Sequence, residues 1–162
     1  MFTITKDVYF CYGHRLMGHQ GKCRHLHGHS VKASITVTAA ALNDQGMVCD
    51  FADISAVAHD YIDAELDHNL LLHREDPLVP ALERGGERFL LLDEHPTAEY
   101  LAQLIYRRVK AQGLNVQSVT LWETTSACAT YSEPRRRRRW GFSFRLKNHS
   151  GCTGCARPIS CA

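Results

Sequence analysis

His27-Gly28-His29 sets two imidazoles two residues apart, and His14 stands thirteen residues upstream of the first. In a strand, residues i and i+2 project from one face, so both rings of the pair can reach one ion. Three neutral imidazoles with an open fourth position form the ligand set of a catalytic zinc, which polarises a substrate oxygen. The chain has 10 histidines, and five of them (His14, His19, His25, His27 and His29) fall between positions 14 and 29. The alternative for a bare H-x-H pair is a histidine-rich surface loop.

Cys23 lies four residues before His27, among Lys22, Arg24 and His25. Positive charge close to a thiol favours the thiolate, which makes Cys23 a candidate base or nucleophile. As a fourth ligand it would instead close a structural zinc site. Asp67-His68 is a carboxylate beside an imidazole that it can orient or charge. Glu123 shares strand parity with Val119 and Leu121. An unpartnered carboxylate on such an apolar face is costly. It therefore needs either a ligand with two adjacent N–H groups or a structural arginine.

The elements that must position these groups are legible as changes of period. Phe2, Ile4, Val8 and Phe10 alternate with mostly polar neighbours, and Val31, Ala33, Ile35 and Val37 alternate with Lys32, Ser34, Thr36 and Thr38. Both segments are predicted strands. His27 and His29 have the parity of the second strand's apolar face, and His14 that of the first. A hairpin brings His14 back to the pair, and Gly13 to Gly28 reads as a functional loop. A helix capped by Asp53 is predicted from Ile54, Val57, Ala58, Tyr61, Ile62 and Leu66. A second starts near Thr97, after Pro96, and presents Leu101, Leu104, Ile105 and Val109 before Gly113. Residues 73–93, with Pro77, Pro80 and Gly85-Gly86, read as a long loop with one short helical turn. Strands are predicted around Val119–Glu123 and Cys128–Tyr131, and one more from Trp140 to Leu146. The order β-β-α-α-β-β predicts an α+β domain, an antiparallel sheet with two helices on one face.

Composition bounds the function. A chain of 162 residues, 44% hydrophobic and 22% charged, suits one globular domain. Residues 1–131 carry 11 basic and 16 acidic side chains (11 − 16 = −5), and 132–162 carry 8 and 1 (8 − 1 = +7). We therefore divide the chain into a domain over 1–132 and a basic, cysteine-containing extension over 133–162. No apolar run approaches a membrane span. The N-terminal MFTITKDVYF lacks the pattern of a signal peptide, so a cytoplasmic location is expected. Seven cysteines in such a chain are expected to be reduced, metal-bound or reactive. The run Arg135–Arg139 reads as a solvated link or a nucleic-acid contact. His149, Cys152, Cys155 and Cys161 read as a second, structural zinc site or an unstructured end.

The segments FCYGH (10–14), GKC (21–23), CRHLHGH (23–29), GMVCDF (46–51), LDHNLL (66–71), HPTAE (95–99) and WET (122–124) stand in one order. Together they resemble the 6-pyruvoyl-tetrahydropterin synthase and 6-carboxy-tetrahydropterin synthase family, over about residues 2–132. The resemblance implies a tunnelling fold (T-fold) with a four-stranded antiparallel sheet. It implies homohexamers, dimers of trimers, with active sites at subunit interfaces. Carried over, zinc falls on His14, His27 and His29, and the proton acceptor on Cys23. The charge relay falls on Asp67 and His68, and the pterin anchor on Glu123. Thr97 and Glu99 match positions that approach the pterin from a neighbouring subunit. The C-x-x-x-H-G-H spacing resembles the carboxy branch of queuosine and 7-deazaguanine synthesis. That branch converts 7,8-dihydroneopterin triphosphate to 6-carboxy-5,6,7,8-tetrahydropterin, with release of acetaldehyde and triphosphate. The rivals are the sister pyruvoyl enzyme, which eliminates triphosphate, and, from another class, a nucleic-acid-binding module with structural zinc. A pterin is the expected partner, nucleic acid and membrane are not. Ala98, the 73–93 segment and the extension depart from the family's pattern.

Overall fold

A computed structural model describes residues 1–134, so the strand expected over Trp140–Leu146, the arginine run and the His149/Cys152/Cys155/Cys161 set lie outside the described residues. Two long strands, β1 (Phe2–His14) and β2 (His27–Ala39), form an antiparallel hairpin in which Phe10 faces Val31 and Val8 faces Ala33. Their alternation continues through the histidines, so both are longer than the apolar alternation alone predicts. Helix α1 (Phe51–Tyr61) follows, then a π-helical turn over Ile62–Leu66. After these come β3 (Asn69–His73), α2 (Val79–Gly85), β4 (Phe89–Leu92), α3 (Ala98–Ala111), β5 (Val116–Trp122) and β6 (Cys128–Tyr131).

Among the described residues the sheet is six-stranded, in the order β4-β3-β1-β2-β5-β6. The expected α+β class holds, but the sheet has two further strands and is mixed. β3 runs parallel to β1, and β4 parallel to β3. The segment 73–93 is therefore not one long loop. Pro80 stands in the first turn of α2, where its missing N–H costs nothing, and Gly86 closes that helix at φ 71°. The cap of α1 is also corrected. Asp50, not Asp53, accepts the Ala52 amide at 2.8 Å, and Asp53 sits in the first turn. Thr97 caps α3 as expected, accepting the Tyr100 amide at 3.3 Å.

α1 and α3 bury Ile54, Ala58, Leu101, Ala102, Ile105 and Val109 against one face of the sheet. That face contributes Val8, Phe10, Val31, Ala33, Ile35, Val37, Val119 and Leu121. Among the described residues, no helix is long and apolar enough to cross a membrane.

Candidate active site

The β1–β2 register sets His14 opposite His27 and Tyr12 opposite His29. All four lie at one end of the helix-covered face, because the alternation that buries Val31, Ala33 and Ile35 runs back through 29 and 27. Donor nitrogens of His14, His27 and His29 lie within 4.8 Å of one another. The His14 Nδ1 donates to the Pro96 carbonyl at 2.7 Å, and the His27 Nδ1 to the His25 carbonyl at 2.8 Å. A carbonyl only accepts, so each Nδ1 carries a proton, and in the neutral ring each Nε2 presents a lone pair. Those two Nε2 atoms are 3.1 Å apart. Two facing lone pairs repel unless a cation or a shared proton lies between them. Tetrahedral zinc at its usual distance of about 2.0–2.1 Å separates ligand nitrogens by about 3.3 Å, so spacing and donor type fit such a metal. Burial pushes the His14 imidazole below its ordinary range. The Pro96 carbonyl pulls the other way, and His27 and His29 add to the fall. The neutral ring is the form that binds a metal.

Glu123 follows the last residue of β5 and keeps its parity. Among the described residues no arginine pairs with it. Tyr12, 3% exposed, donates its hydroxyl hydrogen to Glu123 Oε1 at 2.9 Å. Burial, then the Glu123 charge, push the Tyr12 phenol far above its ordinary range, so it remains a donor. Its ring stands edge-on to that of His14, centroids 5.1 Å apart. One side chain thus joins the carboxylate to the histidines.

The π-turn ends with the Asp67 amide donating to the Ile62 carbonyl at 2.7 Å, which carries the chain out of the helical path. His68 adopts φ 51°, a left-handed conformation that costs a non-glycine residue about 1–2 kcal/mol. Its amide donates to the Cys11 carbonyl at 2.8 Å, and the Cys11 amide donates to Asp67 Oδ1 at 2.8 Å. The His68 Nδ1 donates to Asp67 Oδ2 at 2.7 Å. Burial raises the Asp67 carboxyl, but the Cys11 amide and His68 outweigh it and hold it below its ordinary range. The His68 side chain is 78% exposed, and with Nδ1 committed, Nε2 is where a proton can be exchanged. A cavity of about 620 Å³ is lined by His27, His29 and His68.

The match to known proteins is decisive for the family. The model of the 6-pyruvoyl tetrahydropterin synthase family matches residues 3–134. The chain belongs to that family. A 6-carboxy-5,6,7,8-tetrahydropterin synthase from Rickettsia bellii is 34% identical, over 76% of this chain and 95% of its own. One of the same name from Haemophilus influenzae is 30% identical, over 82% of this chain and 100% of its own. Among solved structures, an uncharacterised protein from Wolinella succinogenes superposes with a TM-score of 0.68 at 28% identity, covering 82% of this chain and 98% of that one. The 6-pyruvoyl tetrahydropterin synthase of Caenorhabditis elegans superposes with a TM-score of 0.62 at 21% identity over 82% and 96%, and shows the shared fold.

Within this pterin-synthase fold, the remaining expected residues are placed as follows. Cys23 sits half-buried in a 3₁₀ turn, Lys22–Arg24, whose backbone is braced by the Leu16 amide on the Cys23 carbonyl at 2.8 Å. Its sulfur is not in the group formed by the three imidazoles, nor does Cys23 line either cavity that His68 lines. The triad and Glu123 are brought together in one chain, and Cys23 and Asp67-His68 are not. Thr97 caps α3 one residue beyond Pro96, whose carbonyl holds His14, and Glu99 is exposed in the first turn of that helix. Cys11 and Tyr12 are the functional neighbours that sequence reasoning missed. Cys11 holds Asp67 through its amide and also brings its sulfur within 4.8 Å of the Asp67 and His68 side-chain atoms, and the parity of Tyr12 with His14 is a usable signal.

Proposed function

We propose that the chain converts 7,8-dihydroneopterin triphosphate to 6-carboxy-5,6,7,8-tetrahydropterin, releasing acetaldehyde and triphosphate, in the 7-deazaguanine branch of the family. The observation that carries this reading is the pair of Nε2 atoms of His14 and His27, 3.1 Å apart, beside the bond from buried Tyr12 to Glu123. His14, His27 and His29 would hold zinc, which when bound supplies a Lewis acid for the hydroxyls of the substrate side chain. Glu123 anchors the pterin by accepting its amino and ring N–H groups, one oxygen shared with Tyr12. Cys23 removes a carbon-bound proton. Asp67 holds His68 in the tautomer whose Nε2 exchanges protons with the reacting side chain. Thr97 and Glu99 approach the pterin from a neighbouring subunit. The separation of Cys23 from the Asp67-His68 pair in one chain supports a site completed across a subunit interface.

The test is incubation of the purified, zinc-loaded protein with dihydroneopterin triphosphate and mass identification of the products. The carboxy product with acetaldehyde is expected. A pyruvoyl product would move the chain to the sister branch, and unconsumed substrate with full metal occupancy would sink the reading.

A further inference from the structure

We infer that Arg88 is the phosphoanion clamp of this site, the side chain that grips the triphosphate of the substrate; the inference rests on the pterin triphosphate reading above. Arg88 lines the same cavity as His27, His29 and His68, and among the described residues no other arginine or lysine does. It lies between α2 and β4, in the segment whose length departs from the family's pattern. The sheet fixes where it stands. The next residue, Phe89, pairs with Leu70, and Leu70 pairs with Gly13, next to His14. Its Nη2 donates to the Ala64 carbonyl at 2.6 Å, inside the π-turn that leads to Asp67-His68. A single anchoring bond of this kind orients a guanidinium and leaves most of its five N–H groups open.

The charge of Arg88 is also unspent. Arg15, Lys32, Arg74 and Lys110 each have a carboxylate partner: Asp76, Asp7, Asp93 and Glu133. Among the described residues Arg88 has none within 4.0 Å, although Glu87 lines the same wall. A planar, permanently charged fork matches two phosphate oxygens at once. A cation on the cavity wall that His68 also lines suits the polyanionic tail of a ligand that exchanges a proton at that imidazole.

The experiment uses the zinc-loaded full chain and two probes, inorganic tripolyphosphate and the phosphate-free pterin biopterin, with zinc content assayed after each titration. Arg88→Ala should weaken tripolyphosphate at least tenfold while biopterin affinity and zinc content stay within about twofold. Arg88→Lys should recover part of the loss, and added salt should weaken the wild type more than the variant. Arg88→Gln keeps a donor for the Ala64 carbonyl, so a fold defect in Arg88→Ala is recognised by its absence there. Equal tripolyphosphate affinity in wild type and Arg88→Gln would overturn the clamp, as would an equal loss of both probes. Neither titration needs turnover. A protein that binds tripolyphosphate through Arg88 without consuming the pterin triphosphate would keep the clamp and lose the proposed reaction.

Discussion

Glu123 has one oxygen committed to Tyr12, and that bond determines what its amide analogue would do. In Glu123→Gln the amide oxygen accepts the Tyr12 hydroxyl, which turns the NH₂ toward the ligand. A pterin N–H then faces an N–H. Loss of one charge-assisted acceptor and the clash of two donors should cost about 2–4 kcal/mol of pterin binding, with zinc content unchanged. Equilibrium binding of sepiapterin or biopterin measures it, and equal affinities would leave Glu123 as a structural partner of Tyr12 alone. At the triad the expected outcome is the reverse. His27→Ala removes one of the two lone pairs that face each other at 3.1 Å. It should lower bound zinc and abolish turnover, because two imidazoles hold an open metal poorly. Metal analysis of the purified variant checks this, and full occupancy with normal activity would remove the metal assignment.

Between elements, a partly buried tie near the site runs from Arg15 to Asp76, which joins the end of β1 to the start of α2. Asp76 takes Arg15 Nε at 2.7 Å and Nη2 at 2.5 Å, and also the Leu78 amide at 2.8 Å, with its side chain 1% exposed. Burial raises the Asp76 carboxyl, but Arg15 and the Leu78 amide outweigh it and hold it below its ordinary range. A carboxyl depressed in the folded state stabilises above its unfolded value of about 3.9, and that contribution fades as pH falls through the lower folded value. Asp76→Asn should therefore cost about 3 kcal/mol in urea unfolding at pH 7 and progressively less as the pH falls below the unfolded carboxyl value of about 3.9. A pH-independent loss would mean that packing, not charge, holds this junction. Legibility in the sequence followed the same division between local and tertiary order. β1, β2 and α3 were readable because alternation or helical spacing persists over many residues, and that persistence also placed the three histidines on one face. β3 and β4 were not. Leu70-Leu71-Leu72 and Phe89–Leu92 lie in parallel pairs, where apolar residues are needed on both faces and alternation vanishes. Asp50 and Asp53 are equally good caps by type, and only the fold selects Asp50. The Tyr12–Glu123 bond spans 111 positions and depends on the β1–β2–β5 order, which no local spacing encodes.

Across the whole molecule, the described chain leaves its chemistry unfinished in a way that a second copy can complete. The sheet ends on β4 and β6, each with one unpaired edge among the described residues. Phe2 and Tyr9 are 48% and 70% exposed. Such edges and apolar residues suit the homohexamers with interfacial active sites that the family resemblance implies, and the proposed site would join Cys23 of one subunit to Asp67 and His68 of the next. A mixing experiment decides this without a structure of the assembly. Cys23→Ala removes the base and should slow turnover by about a hundredfold or more, and His68→Ala removes the exchanging imidazole of the relay. Each variant alone carries a defect in every site. If base and relay come from different subunits, co-expressed chains that assemble at random regain intact sites in about a quarter of cases, where an unaltered Cys23 faces an unaltered His68. If both groups act from one chain, every site in the mixed oligomer still lacks one of them. Activity of the mixture near a quarter of the wild-type rate is the expected result, measured on oligomers that carry both variants. A mixture no faster than its better parent would place base and relay in the same subunit.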